Sequence, residues 1–112
     1  MAYDEGLAER VREYFTDQLF LEEKRMFGGL CFMLSGHMCC GIDDELLMCR
    51  VGPKAYHACL AMPFAKPMDF TGKALKGFVY VTEEGIAEDQ DLHWWLGLCQ
   101  QFVSSLPPKK KH

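Results

Sequence analysis

The sequence predicts a two-layer α+β domain, ordered helix, three strands, helix, two strands, helix, with its strands in one antiparallel sheet. Three observations predict it. Apolar residues recur at spacings of three and four near both ends of the chain; short apolar runs broken by glycine and aspartate pairs fill residues 24–51; and a run of β-branched and aromatic residues stands at 77–81. At 112 residues, with 49% hydrophobic and 25% charged side chains, the chain has enough apolar content for one packed core. Residues 1–108 are read as that single domain and residues 109–112 as a frayed basic tail.

Asp4 is placed to cap a first helix whose stripe is Leu7, Val11, Tyr14, Phe15 and Leu19, running to about residue 20. The breaks at Gly28-Gly29, Ser35-Gly36 and Asp43-Asp44 divide the next segment into a three-stranded meander. Gly52-Pro53 opens a short second helix, with proline at the first helical position and Ala55, Tyr56, Cys59, Leu60 and Met62 on its apolar side. Pro63 and Pro67 end that helix and force an extended segment; Phe70 to Lys73 reads as a turn and Gly77 to Val81 as a strand. The last helix is capped by Asp89, carries Leu92, Trp95, Leu96, Cys99, Phe102, Val103 and Leu106 on one stripe, and stops at Pro107-Pro108.

Charge narrows the function classes. The chain sums to −4, and three of its twelve cations are the terminal Lys109, Lys110 and Lys111, so the body carries a net −7. Direct nucleic-acid binding is therefore not expected. The first residues are acidic rather than basic, and the longest apolar run, Leu30 to Leu34, is too short for a membrane span. A cytoplasmic protein with no membrane contact is expected, and its six cysteines, at 31, 39, 40, 49, 59 and 99, are read as reduced thiols.

Three stretches carry a family resemblance: Met26-Phe27-Gly28-Gly29-Leu30; Met38-Cys39-Cys40-Gly41 followed by Arg50-Val51-Gly52-Pro53; and Lys66 to Gly72 followed by Lys76 to Val81. In this order and spacing the chain resembles the TfoX N-terminal domain, the Sxy-type competence regulators, from Tyr3 to Pro108. The resemblance implies a secretion-chaperone-like fold and a connection to competence-gene regulation, in which long members act with an activator of the cyclic-AMP receptor type. Those members carry a further C-terminal domain, so this chain is expected to be a stand-alone N-terminal module. The resemblance brings no catalytic residues with it.

The residues themselves offer little enzyme chemistry. Asp43, Asp44 and Glu45 fall in a hairpin turn, and His57 and His93 have no partner at a useful spacing, so no enzyme and no cofactor are expected. Arg25 and Arg50, near the Gly-Gly and Gly-Pro turns, are candidates for contacting an anion or small ligand at the second helix. A two-residue turn at Ser35-Gly36 would set Cys31 opposite Cys40, and one at Asp43-Asp44 would set Cys49 diagonal to Cys40. Those three sulfurs would then share a face with His37 nearby, the basis of an alternative thiol or metal sensor. Buried, inert thiols are the favoured reading, with no resident metal.

Apolar surface supports a different function. Trp94 and Leu98 lie one residue off the main stripe of the last helix, so that helix is apolar over more than half its circumference. In the meander, Leu30, Phe32, Leu34, Leu46 and Met48 are assigned to one face and Met33, Met38, Ile42, Leu47 and Val51 to the other, leaving both faces apolar. The sequence thus predicts a non-enzymatic protein-interaction module with a regulatory role, using Trp94 and Leu98, and a homodimer in addition to an unidentified protein partner.

Overall fold

The computed structural model describes residues 3–18, 20–26, 28–69, 72 and 74–107. Its first helix, α1 (Glu5–Tyr14), is capped as expected: the Asp4 carboxylate accepts from the Gly6 and Leu7 N–H groups at 2.8 and 3.2 Å. It is shorter than expected, however. Phe15 ends it, and Phe20, at φ +64°, takes a left-handed conformation that an α-helix does not admit. Leu19, assigned to the helix stripe, lies outside the described residues.

Four strands follow where three are expected: β1 (Leu21–Met26), β2 (Gly29–Leu34), β3 (His37–Asp43) and β4 (Leu46–Arg50). The additional strand, β1, is hard to see in the sequence because four of its residues, Glu22 to Arg25, are exposed and charged. Such residues protect a sheet edge against pairing with another chain. Next come α2 (Tyr56–Leu60), β5 (Ala65–Asp69), β6 (Ala74–Val81), a single 3₁₀ turn (Glu83–Gly85) and α3 (Asp89–Ser104). The strands form one antiparallel sheet in the order β1-β2-β3-β4-β6-β5, so the α+β class and the order of the three helices among the strands stand. Lys66 and Pro67 blunt the other edge.

Two helix starts differ from expectation. Pro53 precedes α2 by a turn, and Ala55 occupies the cap position. Glu88 rather than Asp89 begins α3; Asp89 stands in the first turn, where its carboxylate accepts from Arg10 Nη2 at 3.1 Å and joins α1 to α3. Of the expected turn at 70–73, only Gly72 is described, at φ +82°. Lys109 to His112 lie outside the described residues.

The strand faces also need correction. The turn after β2 is the two-residue one expected, with Leu34 opposite His37, but the register shifts at Phe32/Met33 so that Cys40 pairs with Phe32. This β-bulge adds one residue to β3 and restarts the alternation. As a result Cys39 and Cys40 both join the helix-side core, and so do Leu30, Phe32, Leu34, Ile42, Leu47, Cys49 and Val51. The opposite face holds Cys31, Met33, Met38, Met48, Met68 and Tyr80, with Met26, Leu46, Leu75 and Phe78 around them.

That second core explains why both faces read as apolar. It draws side chains from all six strands, including both edges, which in a flat sheet would lie roughly 24 Å apart. The sheet therefore curls, with bulges in β3 and β6 helping it bend, and Cys31, Met48 and Met68 have no solvent exposure. On the convex side α3 lies over β3 and β4, α2 over β5 and β6, and α1 against α3. The second sheet face is closed within the chain, and the large hydrophobic side chains left exposed among the described residues are Phe20, Phe64 and Trp94. Among the described residues no helix is long and apolar enough to cross a membrane.

Candidate interaction surface

On α3 the buried stripe is Leu92, Trp95, Leu96, Cys99 and Val103. Trp94 projects one position off that stripe and remains 50% exposed, while Leu98, one turn further on, is half-buried against the core. The Trp94 and Trp95 rings meet edge to face at 5.0 Å, which fixes the exposed indole against a buried one. Trp94 stands as a ridge between two grooves. One is a shallow trough lined by His93, Gly97, Leu98 and Gln101; the other is a cavity of about 360 Å³.

Three elements build the second groove: the loop after α2 gives Met62, Pro63 and Phe64; the 3₁₀ turn gives Glu84 and Gly85; α3 gives Asp91, Trp94 and Trp95. Phe64 is 48% exposed and sits at φ +70°, a conformation that a bulky side chain rarely takes. It is held there because its carbonyl accepts from the Thr82 N–H at 2.8 Å, which extends the β5–β6 pairing by a step. Gly85 makes room opposite it: a Cβ at this position would lie 2.9 Å from Phe64 Cβ and 2.7 Å from Val81 Cγ1. A strained, exposed aromatic at the mouth of a groove is the kind of outlier that fold stability alone does not account for. The sequence singles out Trp94 and Leu98 by their spacing on α3, whereas nothing in Pro63-Phe64 signals the backbone conformation of Phe64.

The arginines named for anion binding stand on separate strands, β1 and β4, with β2 and β3 between them. Arg50 lies over the Phe78 and Phe102 rings at 5.5 and 5.6 Å and donates to the Met38 carbonyl at 3.4 Å; Arg25 lies over Tyr3 at 6.0 Å. Both guanidiniums are engaged in packing on aromatic faces.

The expected set of three sulfurs is not assembled. Cys31 lies on the concave face opposite Gly41, while Cys40 lies opposite Cys49 on the helix face. The bulge is one cause; the other is that the turn after β3 is Asp44-Glu45, with Asp43 paired to Leu46. His37 Nε2 lies 2.6 Å from the Pro107 carbonyl, to which it donates, tying the β2–β3 turn to the end of α3. Beneath α3, Cys39, Cys40, Cys49 and Cys99 form a different group, fully buried. Among the described residues no group of three or more His, Cys, Asp or Glu side chains is arranged to hold a metal ion.

Cys31, Cys40 and Cys49 are held neutral. The hydrogen bond with Cys39, then burial, raises Cys40 well above the usual thiol range; burial, then the hydrogen bond with Cys99, does so for Cys49; burial pushes Cys31 up to about 11. Metal binding and nucleophilic attack both use the thiolate, which this environment disfavours. Cys31, Cys40 and Cys49 should therefore resist a thiol reagent at neutral pH over minutes in which urea-unfolded chain reacts fully. Their raised native values give a sign for stability as well: above pH 9, the ordinary thiol value, the unfolded chain binds fewer protons than the native one. The urea midpoint should be unaffected by these thiols below that pH and fall above it. Rapid native-state modification at neutral pH would contradict this description of the core.

Comparisons with curated proteins and with solved structures returned no match. A family model does match, over residues 13–103, and its span takes in the whole sheet, α2 and nearly all of α3, including the Trp94 ridge and the groove beside it. On that match the chain belongs to the TfoX N-terminal domain family.

Proposed function

We propose that this chain is a non-enzymatic regulatory module that holds a protein partner on the face formed by Trp94, Phe64 and Leu98. Family membership supports a regulatory role connected with competence. The observation that carries the docking reading is the pairing of two large exposed aromatics, Trp94 and Phe64, across one groove, one of them on strained backbone. Exposed aromatics fixed by a rigid scaffold are what protein interfaces use as anchors. Six free thiols support a reducing, cytoplasmic setting.

A different protein suits the face better than a second copy. Between Glu83 and Asp91 the chain carries five carboxylates, of which only Asp89 is ion-paired among the described residues, to Arg10, and self-docking here brings two such acidic rims together. Like charges facing one another across an interface oppose association. The acidic body likewise supports a protein rather than a nucleic acid as partner.

Replacing Trp94 by a photoreactive phenylalanine analogue in the source cells tests the reading. Irradiation should give one dominant adduct with a different protein, and Phe64→Ser in the same chain should reduce it at least tenfold. Adducts only with another copy of the chain, or a yield indifferent to Phe64, would overturn the proposal.

A further inference from the structure

We propose that the groove beside Trp94 receives an arginine side chain of the partner, with the guanidinium lying on the indole face and its charge set between Glu84 and Asp91. The inference rests on reading this face as a protein-docking surface and adds the chemistry of what docks. A cavity of about 360 Å³, lined by Met62, Phe64, Trp94 and Trp95 among others, is large enough for one long side chain. Its aromatic walls favour a flat or apolar group. Its two carboxylates decide the charge of that group.

Glu84 and Asp91 are both exposed and have no ion-pair or hydrogen-bond partner among the described residues. Arg10, which reaches the segment between the two carboxylates, is already committed to Asp89 and to the Ile86 and Ala87 carbonyls. An uncharged apolar group pressed into the groove would strip water from both carboxylates and give nothing in return. An anionic group would be repelled, whereas a cation recovers the lost hydration through direct pairing. Arginine fits better than lysine. Its planar guanidinium stacks on an indole and offers a two-pronged donor to a carboxylate, and its weaker hydration makes it easier to bury. The net −7 of the body extends the same preference to longer range by drawing a basic segment toward this face.

The test uses the full chain, ¹⁵N-labelled, and three acetylated and amidated pentapeptides with leucine at each end, alanine inside these, and arginine, citrulline or glutamate at the centre. Citrulline keeps the shape of arginine without its charge. The expected result is that the arginine peptide shifts the Trp94 indole N–H and the Gly85 amide and binds at least tenfold more tightly than the citrulline peptide, with the glutamate peptide weakest. Glu84→Gln combined with Asp91→Asn should bring the arginine peptide down to the citrulline value. If that variant fails to fold, raising the salt concentration serves instead and should weaken the arginine peptide alone. Equal binding of arginine and citrulline peptides at Trp94 would overturn the arginine assignment while leaving the docking face in place. Shifts elsewhere, or none with any peptide at millimolar concentration, would overturn the assignment too; the photo-adduct at position 94 decides the docking face independently.

Discussion

Replacing Gly29 by alanine is expected to destabilise the protein by about 3 kcal/mol or more. Gly29 opens β2, paired with Met26 on one side and lying against the Ile42–Asp43 backbone on the other. A methyl group there would overlap the Ile42 carbonyl oxygen and would come within 2.9 Å of the Ile42 carbonyl carbon and 3.2 Å of Asp43 Cα. These are backbone atoms, so relief requires β2 and β3 to separate where Leu30 faces Ile42, in the middle of the helix-side core. The neighbouring Gly28 is the control. It has φ +75° and no atom within 4 Å of the place a methyl group would take, so alanine there meets only the left-handed backbone penalty, about 1 kcal/mol. Urea denaturation of the two variants should separate them clearly, and equal midpoints would show that β2 and β3 do not approach as described.

Trp94→Glu is expected to act in the opposite way, changing stability by less than about 1 kcal/mol while weakening partner binding at least a hundredfold. The indole is half in water, and the core beneath it is closed by Trp95, Leu92 and Leu96, which remain in place. Glutamate at this position removes the indole, and with it the aromatic face on which the partner anchors. A partner that relied on apolar contact would lose its pocket, and the fold would lose little.

How far the sequence foretold this can be seen in particular elements. The periodic signals survived: α3 and its stripe, the Asp4 cap, the Ser35-Gly36 turn and the exposed position of Trp94 all follow from local spacing and side-chain chemistry. Non-local features did not. β1 is an edge strand whose Glu22 to Arg25 face water, so its sequence carries no apolar alternation to reveal it. The bulge at Cys39 has no signal in the local sequence, and one extra residue was enough to bring Cys40, Ile42 and Leu47 to the face of Leu30 and Phe32, opposite Cys31. The groove is assembled from three separated segments, and its decisive strained residue, Phe64, has an ordinary local sequence. Its acidic rim was present in the sequence as Glu84 and Asp91, but only the fold brings them to the same cavity as Trp94 and Phe64.

The central claim is that this face, rather than the buried thiols or the arginines, carries the regulatory function. The most direct measurement is competence-gene transcription in source cells carrying Trp94→Glu at the native locus, read beside the cellular level of the protein and its melting temperature. The account predicts transcription equal to that of a deletion strain, with protein level and melting temperature close to wild type. Wild-type transcription from a chain bearing Trp94→Glu, in cells where deletion abolishes it, would contradict the account.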